Sequence, residues 1–151
     1  MKIGIVTCGD YWNYGNRLQN FALKYIIETH HSREVISIIG EQQTRGRKKL
    51  SGIQGLLRLF SINKRQRLMA KAKRGIKFLE FSNIYLNEQH FSDEVEEIIV
   101  GSDQVWNPTW LSDKEFEYFL LNPYVGIKKI SYAASIGVKT LDKKHQQFMK
   151  K

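Results

Sequence analysis

Two short stretches hold most of the side chains that could do chemistry. The first is Gly9-Asp10-Tyr11-Trp12-Asn13-Tyr14-Gly15-Asn16-Arg17-Leu18-Gln19-Asn20, which follows the apolar run Ile3-Gly4-Ile5-Val6. Gly15 suits a turn with positive φ, or a backbone that a ligand approaches closely. The helix expected next offers unpaired N–H groups and partial positive charge at its amino end, which suits a phosphate or carboxylate. Arg17 adds a fork of donors that can grip either group bidentately. The stretch is not a GxGxxG fingerprint, and it has no Walker lysine. A plainer reading leaves Asn13 and Asn16 to cap and turn while Trp12 and Tyr14 plug the end of a sheet. Both readings stay open at this point.

The second stretch is Gly101-Ser102-Asp103-Gln104-Val105-Trp106-Asn107-Pro108. Two small residues and then a carboxylate leave room for a ligand beside Asp103. That carboxylate could accept hydrogen bonds from sugar hydroxyls, act as a general base or hold a metal. Trp106 could stack on a sugar ring. The alternative has Asp103 capping a turn and Trp106 packing in the core. Elsewhere the chemistry is sparse. Cys8 has no histidine near it in sequence, and His30, His31, His90 and His145 show no metal-ligand spacing, so neither a thiol nucleophile nor a metal is expected.

Both stretches need strand ends to present them. Lys2–Thr7 reads as a buried parallel strand. Asn16 is expected to cap a helix whose stripe is Leu18, Phe21, Ala22, Tyr25 and Ile26. His30-His31-Ser32 should end that helix before a second strand, Glu34–Ile39, closed by Gly40. Strand, loop, helix and strand in 40 residues make a βαβ unit. Residues 41–49 read as a basic loop. Ile53, Leu56, Leu57 and Phe60 suggest a short helix, and Lys64–Ile84 a longer one that packs through Leu68, Ala72, Ile76, Leu79 and Tyr85. Residues 41–84 thus form a basic helical insertion. Phe91–Glu97 reads as turn-like, Glu97–Gly101 as a third strand, Phe116–Leu121 as a short apolar segment and Lys129–Ser135 as a fourth strand. A final helix should start at Thr140 and pack through Leu141 and Phe148. Residues 1–151 therefore read as one α/β domain, Rossmann-like, with a mostly parallel sheet and flanking helices. With no strand after that helix, the domain reads as truncated.

The net charge of +9 is uneven. Residues 44–77 hold 12 of the 24 basic side chains and no acidic one, whereas the other 117 residues carry a net of −3. Such a segment is a solvated helical face, or it binds an anionic membrane surface, nucleic acid or an anionic substrate. No aromatic residue is interleaved with the charges of 61–77, which argues against stacking on single strands. No run approaches the roughly 18 apolar residues of a membrane span. A lone cysteine and the lack of a signal-peptide pattern point to the cytoplasm. The basic segment could bring the protein to the inner membrane face.

Taken together, the segments resemble the polysaccharide pyruvyl transferase family. The resemblance rests on Asn13-Tyr14-Gly15-Asn16-Arg17-Leu18-Gln19-Asn20-Phe21-Ala22-Leu23, preceded by Ile3-Gly4-Ile5-Val6-Thr7. It continues in Phe78-Leu79-Glu80-Phe81 with Tyr85-Leu86. It ends in Val100-Gly101-Ser102-Asp103-Gln104-Val105-Trp106-Asn107 and Lys129-Ile130-Ser131-Tyr132-Ala133-Ala134-Ser135-Ile136-Gly137, in the family's order. It implies transfer of a pyruvyl group from phosphoenolpyruvate to two hydroxyls of a sugar, as a cyclic ketal, in exopolysaccharide, capsule or cell-wall glycan synthesis. It implies a glycosyltransferase-B-like two-domain fold, of which this chain matches the amino-terminal half. Without the other half the chain alone is expected to be inactive. No cofactor is implied beyond phosphoenolpyruvate as donor substrate, and the partner is a glycan or lipid-linked sugar acceptor. Asp103 is the expected catalytic carboxylate. Asn13, Gly15, Asn16, Arg17, Gln19, Ser102, Trp106 and Asn107 are the expected substrate contacts. Two other functions compete: a nucleotide-sugar transferase of glycosyltransferase-B type, and a nucleic-acid-binding module built on residues 44–77.

Overall fold

The computed structural model describes residues 2–9, 13–40 and 62–150 of the chain. Five parallel strands form one sheet in the order β3-β2-β1-β4-β5. They are β1 (Lys2–Val6), β2 (Glu34–Ile38), β3 (Glu88–Gln89), β4 (Val95–Asp103) and β5 (Lys128–Ala134). Helix α1 (Tyr14–His31) joins β1 to β2, and α2 (Ile62–Phe81) leads through a π-helical turn, Ser82–Leu86, into β3. Helices α3 (Asp113–Phe119) and α4 (Lys143–Phe148) follow β4 and β5. The fold is α/β and Rossmann-like.

The central strands are apolar in their middle residues, Ile3–Val6 of β1 and Ile98–Val100 of β4, because both faces are covered there. Ile3 and Ile5 of β1, Val35 of β2 and Ile99 of β4 point to one side, where Ile27 and Leu23 of α1 pack on them. Val6, Ile36, Ile38, Ile98 and Val100 point to the other, against Phe119, Leu121 and Tyr124. Val6, the last residue of β1, pairs with Val100, and β4 continues three residues further to Asp103.

Several expectations need correction. Asn13, not Asn16, caps α1, and its side chain accepts from the Gly15 N–H at 2.9 Å. Gly15 lies within the helix rather than in a positive-φ turn. The stripe expected to pack is turned outward: Leu18 is 55% exposed, Tyr25 59% and Ile26 51%. The face against the sheet is Asn16, Asn20, Leu23 and Ile27, polar at its amino end and apolar further on. Helix α2 is rotated in the same sense. Leu68, Ala72, Ile76, Leu79 and Tyr85 are exposed, and Phe78, Ser82 and Leu86 are buried. Phe21 packs on Phe81 and Tyr85, with ring centroids 5.8 and 5.5 Å away, which explains why an aromatic sits in the outer stripe of α1. The two-residue β3 escaped the sequence reading, since Glu88-Gln89 has no apolar signature. The last helix starts at Lys143 under an Asp142 cap, and its buried residue is His145. Trp12, the basic loop 41–49 and the short helix expected around 53–60 lie outside the described residues. No helix among the described residues is long and apolar enough to cross a membrane.

Candidate functional site

In an open α/β sheet, ligands bind beyond the carboxyl ends of the strands, where the strand order reverses. Here the order reverses between β1 and β4. A cleft of about 320 Å³ opens at that point, lined by Asn13, Asn16, Asp103, Gln104, Trp110 and Tyr118 among others. The β1–α1 turn supplies one wall and the exit from β4 the other. The two stretches singled out in the sequence, 81 residues or more apart along the chain, therefore face one another. The Thr7 hydroxyl donates to the Ser102 carbonyl at 3.4 Å and ties the two strand ends together.

Asp103 is the last residue of β4 and has φ of +81°, in the left-handed region that aspartate enters more readily than most residues. Its Oδ1 accepts from the Gln104 backbone N–H at 2.8 Å. The carboxylate has no other hydrogen-bond partner among the described residues, so Oδ2 is available to a ligand. The Asp103 carbonyl accepts from Ser135 N–H at 3.0 Å, which ties the end of β4 to the residue after β5. The Gly101–Ser102 peptide bond just before it is cis. Gly101 has φ of +131°, and a Cβ there would lie 1.9 Å from the Tyr132 carbonyl oxygen, so only glycine fits.

The exit loop is held by its own side chains. Asn107 is buried; its amide donates to Gln104 Oε1 at 2.6 Å, and its oxygen accepts from the Thr109 N–H and hydroxyl. Trp106 donates its indole N–H to the Phe119 carbonyl at 2.9 Å and packs against the core. Its ring does not line the cleft. Trp110, which the sequence reading passed over, does line it and is 52% exposed. Ser102 is half-buried behind Asp103, and Gln19 is exposed on α1, outside the cleft.

Arg17 does not line this cleft. It lies 6% exposed on the sheet side of α1 and pairs with Glu88 of β3. Neighbouring Asn20 accepts a hydrogen bond from the Ser37 hydroxyl at 3.1 Å. Asn16, one residue before Arg17, forms part of the cleft wall itself.

The far wall comes from α3. Ser112 and Glu115 form a capping box, a pattern legible in Ser112-Asp113-Lys114-Glu115, that starts this helix at the cleft's rim. Tyr118 from the same helix packs over Gly40, where a Cβ would lie 2.7 Å from its ring. Burial, with Tyr124 alongside, pushes the Tyr118 phenol well above its ordinary range. The hydroxyl itself is buried against Gly40, so Tyr118 contributes its ring to the wall. The cleft thus combines two carboxylates, Asp103 with one oxygen open and Glu115 engaged in its capping box, with neutral amides and an exposed indole, a set suited to a polyhydroxylated ligand. No family model matches the chain, and no curated protein or solved structure matches it.

Proposed function

We propose that the cleft is the acceptor-side site of a sugar-modifying transferase of the polysaccharide pyruvyl transferase type. The observation that supports this is the convergence of Asn13 and Asn16 with Asp103 and Gln104 at the β1/β4 switch point. These residues belong to the two motifs on which the family resemblance rests. In the glycosyltransferase-B-like arrangement that the resemblance implies, the site lies between two Rossmann-like lobes, and the face carrying this cleft would look toward the second lobe.

The chemistry asked of the cleft follows from the reaction. The methylene carbon of phosphoenolpyruvate takes up a proton, leaving an oxocarbenium-like centre at C2. Two sugar hydroxyl oxygens bond to C2 as the C2–O bond to phosphate breaks. One hydroxyl proton balances the proton taken up by the methylene, and the other leaves with phosphate or to water. Asp103 Oδ2 is the group placed to accept a hydrogen bond from an acceptor hydroxyl and draw off its proton. Trp110 offers a flat apolar face for the ring. The amino end of α1, beside Asn13, favours the carboxylate or phosphate of the donor by its dipole. Arg17 serves by holding α1 against β3 rather than by touching the anion.

A nucleotide-sugar donor is the second reading, favoured by the same feature: a helix amino end at a Rossmann-like switch point suits a diphosphate. Calorimetry separates the two. Phosphoenolpyruvate should bind with a dissociation constant of about 1 mM or tighter. A nucleoside-diphosphate sugar should not compete. Saturable binding of the nucleotide sugar, with no heat from phosphoenolpyruvate, would replace pyruvyl transfer by glycosyl transfer.

A further inference from the structure

Helix α2 keeps a face that the sheet does not use. Phe78 turns inward, as do Ser82 and Leu86 of the π-helical turn that extends it. Leu68, Met69, Ile76 and Leu79 turn outward, with Met69 65% exposed and Ile76 56%. On a helix of 3.6 residues per turn, these four with Ala72 span about 100° of arc. Lys73 and Lys77 border that stripe on one side, with exposed Glu80 beside them in the last turn. Arg67, Lys71 and Arg74 lie beyond the other and open on a common groove of about 480 Å³. An apolar stripe between cationic borders, on a helix without enough apolar length to span a bilayer, is the signature of a helix lying in the membrane interface.

We propose that α2 docks this protein on an anionic phospholipid bilayer, its apolar stripe in the headgroup–acyl boundary and its Lys and Arg side chains on the lipid phosphates. Charge selects this occupant over two others. Residues 44–77 contain no acidic side chain, so a second copy of the chain would meet like charge. Nucleic acid would use the cations, but a Leu-Met-Ile stripe with no aromatic residue in 61–77 gives it nothing to stack on. A bilayer uses both features.

The dock would also set the height of the cleft above the lipid. The Arg74 guanidinium sits 4.9 Å over the Tyr14 ring, and Tyr14 packs on Phe78 with centroids 4.2 Å apart. Tyr14 is the first residue of α1, next to Asn13 in the cleft wall. A bilayer under the outer stripe would therefore lie on the far side of α2 from Tyr14, one helix diameter from the cleft wall, whatever reaction the cleft performs.

Flotation of the whole 151-residue chain with vesicles tests the proposal. Vesicles of phosphatidylcholine with roughly one third phosphatidylglycerol should carry the protein, and phosphatidylcholine alone should not. Raising salt from about 0.05 to 0.5 M should weaken the binding at least tenfold. Lys73→Gln with Lys77→Gln should weaken it about thirtyfold, taking each charge at the usual surface value. Met69→Gln with Ile76→Gln should weaken it at least tenfold. All four side chains are exposed, so melting temperature should not move. Absence of flotation, equal binding to neutral vesicles, or an apolar pair that changes nothing would overturn the proposal. So would RNA binding that the charge pair abolishes and the apolar pair leaves intact. A dimer dissolved by Met69→Gln with Ile76→Gln, without vesicle binding, would assign the face to a second copy instead.

Discussion

At Asp103 one carboxylate oxygen serves the fold and the other is open to a ligand, and substitution can separate the two roles. Asp103→Asn keeps an oxygen to accept from the Gln104 N–H, so melting temperature should hold. If the open oxygen receives an acceptor hydroxyl, glycan affinity should fall about tenfold or more, because a hydrogen bond to a charged acceptor is lost. Asp103→Ala should lose that affinity and also about 1 kcal/mol of stability, the usual cost of a missing cap. A wild-type affinity in Asp103→Asn would reduce Asp103 to a turn residue. The two tryptophans of the same loop should behave oppositely. Trp106→Ala removes a core ring and its bond to the Phe119 carbonyl and should cost about 3 kcal/mol. Trp110→Ala should leave stability unchanged and weaken glycan binding about tenfold. Equal melting losses in both variants would remove the stacking role. The sequence pointed to this loop, but the ring it named packs on the core while Trp110 lines the cleft, because a tryptophan's chemistry is the same on either side of a core boundary. Only the Val105 and Phe119 packing decides which one is buried.

Helix α1 shows what a periodicity argument can miss. Leu18, Tyr25 and Ile26 have the right spacing for a packed stripe, yet the face on the sheet begins with Asn16, Arg17 and Asn20. The reason is local. The amino end of α1 lies over the polar carboxyl ends of the strands, where Ser37 and Glu88 supply partners, and only Leu23 and Ile27 reach the apolar middle. The Arg17–Glu88 pair, with side chains 7% and 13% exposed, joins α1 to the two-residue strand β3. Removing one partner leaves a buried charge uncompensated. Arg17→Ala should thus cost about 3 kcal/mol in a denaturant titration, whereas Arg17→Met with Glu88→Leu should recover most of it. A loss under 1 kcal/mol in the single variant would mean that Arg17 is not held this way. The strands were easier to read than the helices. Ile3-Gly4-Ile5-Val6 and Ile98-Ile99-Val100 are covered on both faces, and continuous apolar runs of that length leave few alternatives. A half-covered helix carries two apolar faces, and the sequence does not say which one meets the sheet.

Across the whole molecule, strand order turns local motifs into a site. Neither Asn13–Asn16 nor Asp103–Gln104 identifies a ligand alone, and their meeting depends on β1 and β4 being neighbours with Val6 beside Val100. The sequence supported a parallel sheet but could not set which strand lies next to β1. That neighbour is fixed by long-range packing of Ile98, Val100 and Phe119. On the proposed function, the ligand binds at this junction. Amide chemical-shift mapping tests it most directly, with the chain titrated with phosphoenolpyruvate and with a candidate glycan up to about 10 mM. Phosphoenolpyruvate should move amides of residues 13–17 and the glycan those of 103–111, with little change elsewhere. No shift in either segment at saturating ligand, or shifts confined to residues remote from the β1/β4 junction, would contradict it.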